Sequence, residues 1–321
     1  MPGPLSGRTI AVTGAAGFIG GRIVNRLAAE SCRIIRVARR APPCVDARSA
    51  ADVIDVVGDV CDRATWDQVA DAHVVLHLAA ETSRAMAADN AAADFHANVT
   101  PMRHLLAACR RRRVRPIVVF AGTVTEAGIP SRLPVNEDEA DDPITTYDRH
   151  KLMAEDDLKA AASQGVVCGA TLRLSNVYGP GAHGGRQDRD ILNRMIAAAM
   201  QGEPLTVYGS GEYVRDYVFI DDVADAFLVA AVHPDSINGR QFVVGTGRGV
   251  TIREAFELVA ARVAARTGRR VPVITADPPG GLSDIQRRHF VADSSRFSAA
   301  TGWRAAWNLA DGIDRTIEAL A

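Results

Sequence analysis

The sequence predicts an α/β fold: a doubly wound parallel sheet with a smaller C-terminal α/β unit. Short β-branched runs alternate with longer helical patterns up to about residue 180, as in strand-helix-strand units. The runs are almost continuously apolar, the mark of strands covered on both faces. A turn rich in glycine joins the first run to the first helical pattern, as at the first crossover of a doubly wound sheet.

In order, "TIAVTG" reads as the first strand and the amphipathic "FIGGRIVNRLAAE" as the first helix. "RIIRVA", "VIDVVGD", "HVVLHLAA", "PIVVFAG" and "GATLRL" read as the strands that follow. The run "CRRRRVR" (109–115) reads as a helix C-terminus, where cations complement the macrodipole, and not as a nucleic-acid patch. "TYDRHK" follows the acidic loop "NEDEADDPIT" and starts a helix with Tyr147 and Lys151 about one turn apart on one face. After about residue 180 the connections become rich in Gly and Pro, with "LTVYGSGEYVRDYVFIDDVADAF" and "NGRQFVVGTGRG" as islands of regular structure. The expected division is 1–175 for the first domain, with about 217–246 returning to it, and 176–216 plus 247–321 for the second.

At 321 residues, 47% of them hydrophobic, the chain can bury one large core or two unequal ones. Its 37 Lys and Arg balance 38 Asp and Glu, so no global field recruits nucleic acid or a membrane surface. The start "MPGPLSGRTIAVTG" lacks the apolar stretch of a signal peptide, and no segment has the ~20 unbroken apolar residues of a membrane span. A cytoplasmic location is expected. Cys32, Cys44, Cys61, Cys109 and Cys168 show no metal spacing and read as reduced, mostly buried residues. Trp66, Trp303 and Trp307 read as packing residues, and His150 as facing solvent.

The first turn carries Gly14, Gly17 and Gly20 in a GxxGxxG spacing, with Phe18 and Ile19 opening the helix. Glycine lets the backbone approach a pyrophosphate, whose charge the helix N-terminus favours. A dinucleotide site is therefore expected there. At the end of the second strand, Ala38 stands where NAD binders place a carboxylate, and Arg39 and Arg40 follow. Guanidinium donors suit a 2′-phosphate, so NADP(H) is expected over NAD(H). Asp59-Val60 and "HLAA", with Leu78, Ala79 and Ala80, fall at strand ends on the ligand edge.

With "TGAAGFIG", "HLAA", "VVFAGT" and "YDRHK" in that order, and with "RLSNVYGPG" and "ATGWRAAWNLADGIDRTIEAL" further on, the chain resembles the extended short-chain dehydrogenases/reductases. These form the nucleotide-sugar epimerase/dehydratase group. The resemblance implies a Rossmann-type domain, a substrate domain and a homodimer. It implies Tyr147 as proton donor or acceptor at the sugar, Lys151 as holder of the nicotinamide ribose, and Thr123 as the hydroxyl that steadies the reacting oxygen. An ammonium and a cationic nicotinamide both favour phenolate and draw its pKa down from near ~10. The 4,6-dehydratases of the family carry Thr-Asp-Glu where this chain has Thr123-Val124-Thr125, so dehydration is not expected.

In "TTYDRHK", "GRQFVVGTGR" and "DPPGGLSDIQRRHFVADSSRFSAATGWRA" the chain is similar to the 4-ketoreductases of antibiotic deoxysugar pathways. This implies NADPH-dependent reduction of a nucleotide-linked 4-keto-6-deoxyhexose, with dTDP as the family's nucleotide. The alternative is an NAD(P)-dependent 4-epimerase. For the nucleotide sugar, the resemblance implies Arg215 at the diphosphate and Arg287 or Arg288 as a second cation. It places Asn176 along the sugar diphosphate, Val207 near the nucleobase, and Thr82, Ser83 and Thr125 near the sugar hydroxyls.

Overall fold

The runs read as strands from their apolar sequence are strands in the computed structural model, which describes residues 3–42, 49–69, 71–181, 191–278 and 280–321. They are β1 (Thr9–Thr13), β2 (Arg33–Ala38), β3 (Asp52–Val57), β4 (Val74–His77), β5 (Ile117–Thr123) and β6 (Cys168–Leu174). Later come β7 (Asn176–Tyr178), β8 (Leu205–Tyr208), β9 (Val214–Phe219), β10 (Arg240–Val244), β11 (Gly249–Thr251) and β12 (Val273–Ala276). The helices of the first half are α1 (Phe18–Leu27), α2 (Arg63–Asp67), α3 (Arg84–Asp89), α4 (Ala91–Asn98), α5 (Thr100–Arg112) and α6 (Thr146–Ser163). Those of the second half are α7 (Ile191–Gln201), α8 (Ile220–Val232), α9 (Pro234–Ile237), α10 (Ile252–Thr267), α11 (Asp284–Arg287), α12 (Ser295–Thr301) and α13 (Leu309–Leu320).

Seven strands form one parallel sheet in the order β10-β6-β5-β4-β1-β2-β3. The chain winds outward from β1 through β2 and β3, then from β4 through β5 and β6. The winding therefore reverses between β1 and β4, the place where open α/β sheets bind ligands at their C-terminal edge. Alternation along β1 sends Ile10 and Val12 to one face and Ala11 to the other. The first face is covered by Ile23, Val24 and Leu27 of α1 and Phe227 of α8. Met102 and Leu105 of α5 and Leu158 of α6 cover the second. Each such side chain, fully buried, contributes about 1.5–3 kcal/mol.

α1 is a helix because Ile19, Ile23 and Leu27 recur at helical spacing, and it docks on α8 through Arg22 Nη2 donating to Asp221 Oδ2 at 2.6 Å. The basic run ends α5 at Arg112, with Arg113 in the left-handed conformation. Arg111 and Arg112 meet Asp67 and Asp71. β11-β9-β7 and β12-β8 make two small sheets, packed with α7, α10 and α13 around a separate core. α10 starts with a Thr251–Glu254 capping box and is tied to α13 by Arg262 Nε donating to Asp314 Oδ1 at 2.7 Å.

Among the described residues no helix is long and apolar enough to cross a membrane. No three His, Cys, Asp or Glu side chains gather to hold a metal. Cys32, Cys61, Cys109 and Cys168 are free thiols, and Cys44 lies outside the described residues. Trp66 and Trp303 are buried.

Candidate active site

The glycine turn between β1 and α1 is close-packed against the end of β4. Gly14 has φ +68, and a Cβ there would lie 3.0 Å from the Ala79 amide nitrogen. A Cβ on Gly20 would lie 2.2 Å from the Gly14 carbonyl oxygen. Only hydrogen fits at Gly20, and the positive φ with the close Ala79 amide favours glycine at Gly14, so backbone and the N-terminus of α1, with Phe18 and Ile19, form the surface of a cradle. That surface, with the dipole behind it, suits a dinucleotide pyrophosphate. Gly20→Ala would force the turn open at a cost of about 1–3 kcal/mol. A loss of about tenfold or more in cofactor affinity, read by nicotinamide fluorescence titration, is the expected outcome.

Thr13 braces the same corner. Its Oγ1 accepts from the Leu78 and Ala79 amides, both at 3.1 Å, and lies 2.7 Å from His77 Nδ1. With both lone pairs engaged, its one proton goes to Nδ1, which makes His77 the Nε2–H tautomer. Burial first, and then the Lys151 charge, push the His77 pKa down to about 3. Ala38 ends β2 buried, with Arg39 and Arg40 exposed after it. Asp59 Oδ1 accepts from the Cys61 amide at 2.9 Å, and the Val60 carbonyl accepts from Trp66 Nε1 at 2.7 Å. Both groups therefore shape the turn after β3.

Tyr147 and Lys151 are buried on one face of α6, which Thr145 caps by accepting from the Asp148 amide. The Lys151 ammonium sits 3.9 Å from the centre of the Phe120 ring, and that ring stacks on His77. Burial pushes the Lys151 pKa down to about 8 against the opposing pull of Glu126, Glu155 and Asp94. His150 does not face solvent as its place on the helix suggested. Its Nδ1 is 2.6 Å from Asp94 Oδ2, and its ring edge meets Phe95. Asp94 also accepts from Asn98, which in turn bonds the backbone of Glu81 beyond β4.

Thr123 ends β5 and caps the 3₁₀ turn Val124–Ala127. Its Oγ1 is 3.0 Å from Thr125 Oγ1, and Thr125 donates to Asp148 Oδ1, so the turn is fastened to α6 beside Tyr147. Glu126 closes a capping box, accepting from the Thr123 amide at 2.8 Å. Beyond it lies a buried charge cluster that was not foreseen from sequence. Arg173 donates to Glu155 twice, at 3.0 and 2.6 Å, and to Asp141, and its Nε lies 3.0 Å from Glu126 Oε2. Burial and then the Glu155 charge hold Glu126 well above the usual carboxylate range. Burial also pushes Glu155 upward, but Arg173 and Lys159 outweigh it and keep that carboxyl low. The signals were "TVTE", a capping-box spacing, and an arginine inside the apolar run "GATLRL".

A pocket of about 200 Å³ brings together Thr123, Thr125, Asn176, Arg215 and Arg288. Among the described residues none of its lining is a carboxylate. Arg215 Nη2 donates to the Gln286 carbonyl at 2.7 Å and Nη1 to the Arg288 carbonyl, so this guanidinium clasps the α11 segment. Arg288 is shared with a neighbouring cavity of about 500 Å³ that Arg132, Arg287 and His289 also line. Thr82, Ser83 and Val207 line neither. The Val207 side chain is fully buried in the core of the second half, because alternation along β8 turns Tyr208 outward instead; only the Val207 backbone could meet a nucleobase. Asp216, next to Arg215, does not pair with it but accepts from the Thr246, Gly247 and Ala292 amides.

The family model described as "NAD dependent epimerase/dehydratase family" matches residues 10–245. A UDP-glucose 4-epimerase of Mycolicibacterium smegmatis is 31% identical over 317 residues, covering 96% of each chain. The structure of UDP-glucose 4-epimerase from Thermotoga maritima with UDP-glucose superposes with a TM-score of 0.85 at 27% identity, covering 97% of this chain and 98% of that one. The Thermus thermophilus UDP-glucose 4-epimerase complex with NAD gives 0.81 at 27% identity, with the same coverage.

Proposed function

This chain belongs to the NAD-dependent epimerase/dehydratase family, and from that premise we propose that it is a nucleotide-sugar 4-epimerase. The observation that carries the reading is the union of Thr123 with the Tyr147 helix beside a pocket that, among the described residues, is lined by Arg215 and Arg288 and by no carboxylate. Elimination of water needs an acid and base at the sugar, and Glu126 is turned away toward Arg173. The relatives and neighbours named above are epimerases, and one is a complex with a UDP-sugar. We therefore take UDP-hexoses as the first substrates and NAD as the first cofactor to test.

In this reading residues 1–175 with about 217–246 hold the cofactor, while 176–216 and 247–321 hold the sugar nucleotide. The bound nicotinamide supplies the acceptor, and then the donor, of a hydride at the sugar C4. Tyr147 Oη takes the proton of the C4 hydroxyl in the first half and returns it in the second, so one phenol is base and then acid. The buried Lys151 ammonium favours the phenolate. Arg288, with Arg287 near it, gives the diphosphate bidentate donors. Arg215 joins them when its hold on the 286–288 carbonyls is exchanged for phosphate.

The sign of the pH dependence follows from Lys151. Its ammonium is present below about pH 8 and lost above, and with it the charge that favours phenolate. The kcat/KM profile is expected to fall on an alkaline limb near pH 8. Lys151→Arg should remove that limb, because guanidinium keeps its charge.

A second reading, NADPH-dependent reduction of a 4-keto-6-deoxyhexose nucleotide, is favoured by Ala38-Arg39-Arg40 at the end of β2. One experiment separates the two. UDP-glucose with NAD should give UDP-galactose without net change in nicotinamide absorbance, followed by anomeric NMR. Stoichiometric NADPH loss with dTDP-4-keto-6-deoxyglucose, and no interconversion of hydroxy-sugars, would establish the reductase instead.

A further inference from the structure

We infer that Asp94, fixed on α4 by His150 and Asn98, is the counterion of the Lys151 ammonium and thereby a positioning residue for the proton step at Tyr147. The catalytic consequence rests on the proposed function; the pairing of the two charges does not.

Lys151 is 3% exposed, and an ammonium so buried needs a negative charge near it. Each element packed around it offers a group. From β5 comes the Phe120 ring, whose centre is 3.9 Å from Nζ. From β4 comes His77, which is neutral, because burial and then the Lys151 charge hold its pKa at about 3. The acids are Glu126 of the 3₁₀ turn, Glu155 on α6 itself and Asp94 on α4. Glu126 exerts the largest pull when charged, but burial and then the Glu155 charge hold it well above the usual carboxylate range. With Glu126 protonated, Arg173 and Lys159 balance Glu155 and Asp141, so that cluster shows Lys151 no net charge. The remaining charge is that of Asp94.

Asp94 is as buried as Lys151, and among the described residues it meets no arginine or lysine. Its Oδ2 lies 2.6 Å from His150 Nδ1, and its Oδ1 accepts from Asn98 Nδ2 at 3.0 Å. Asn98 is itself clamped: Nδ2 also donates to the Glu81 carbonyl at 3.0 Å, and Oδ1 accepts from the Glu81 amide at 3.1 Å. His150 stands next to Lys151 on α6, so the first bond draws the carboxylate to the helix of Tyr147. The second keeps it from swinging away. A carboxylate held in this way favours the ammonium by charge alone. It needs no rearrangement while the proton moves at Tyr147.

The chain has two lysines, Lys151 and Lys159, so protein labelled with carbon-13 at lysine Cε gives two signals, told apart by Lys159→Arg. An NMR titration then follows Lys151 directly, with no substrate needed. Wild type should titrate near pH 8. Asp94→Asn, and Asp94→Ser as a second removal, should lower that midpoint by about one pH unit. Asp94→Glu keeps the charge and should keep the midpoint. The alkaline limb of kcat/KM should move with it, while KM at neutral pH changes little. A purely structural role for Asp94 would lower the melting temperature and leave the Lys151 midpoint in place. A wild-type midpoint in either neutral variant overturns the inference, as does an equal fall in Asp94→Glu. If no UDP-sugar turns over, the proposed function fails and the NMR midpoints still judge the pairing.

Discussion

Tyr147→Phe is expected to lower kcat for C4 epimerisation by about 10²–10⁴-fold, the range for loss of a positioned acid-base group. Only the phenol oxygen is removed, and the ring stays packed on α6 in a site where Tyr147 is already buried. KM should change little, because the arginines and Asn176 that line the pocket are untouched. Cofactor affinity should also hold, since the glycine cradle and Lys151 remain. The measurement is steady-state turnover beside a cofactor titration on the same preparation. Turnover within tenfold of wild type would remove Tyr147 from the chemistry and take the proposed mechanism with it.

Arg173→Met is expected to destabilise the fold by about 3–5 kcal/mol, because it strands buried carboxylates without their cation. Arg173, Glu126 and Glu155 are all nearly inaccessible, and Arg173 is the only group bonded to Glu155 besides Lys159 among the described residues. The loss should be carried unequally. Glu126, held well above the usual range, takes a proton readily, whereas Glu155 is kept charged by the arginine that the variant lacks. Glu126→Gln alone should therefore cost far less, since an amide oxygen can still accept from the Thr123 amide. Urea midpoints of the two variants measure the contrast. Equal losses would mean that Glu126, and not Glu155, is the partner that matters.

Strands β1, β2 and β4 to β6 were legible because a parallel strand buried on both faces must be apolar along its length, and that is a local property; β3, the mostly exposed edge strand, was legible from its β-branched residues. The glycine triplet was legible because a tight strand-to-helix turn leaves its mark within seven residues. Tyr147 and Lys151 were legible as one face of a helix from their spacing alone. The reaction was harder. The arginines after Ala38 and the features of the second half favoured a ketoreductase, while the sequence and structural relatives favour the epimerase that stood as its alternative. His150 was misread because helical spacing tells which residues share a face, not what faces them. Asp94, 56 positions away, supplies the partner.

The sequence by itself determined the doubly wound α/β architecture, the tight glycine turn after β1 and the shared helix face of Tyr147 and Lys151, because each is written in periods of two, in helical turns or in single glycine positions. Tertiary structure alone decided the hydrogen-bond directions and charges at those residues. Thr13 meets His77 across 64 positions, Thr125 meets Asp148 across 23, and Glu126 meets Arg173 from the neighbouring strand. Such pairs are set by the register of β1 on β4 and β5 on β6 and by how α6 docks on the turn after β5. A short window of sequence carries no signal of that register, since the energy that fixes it is the burial of a whole sheet.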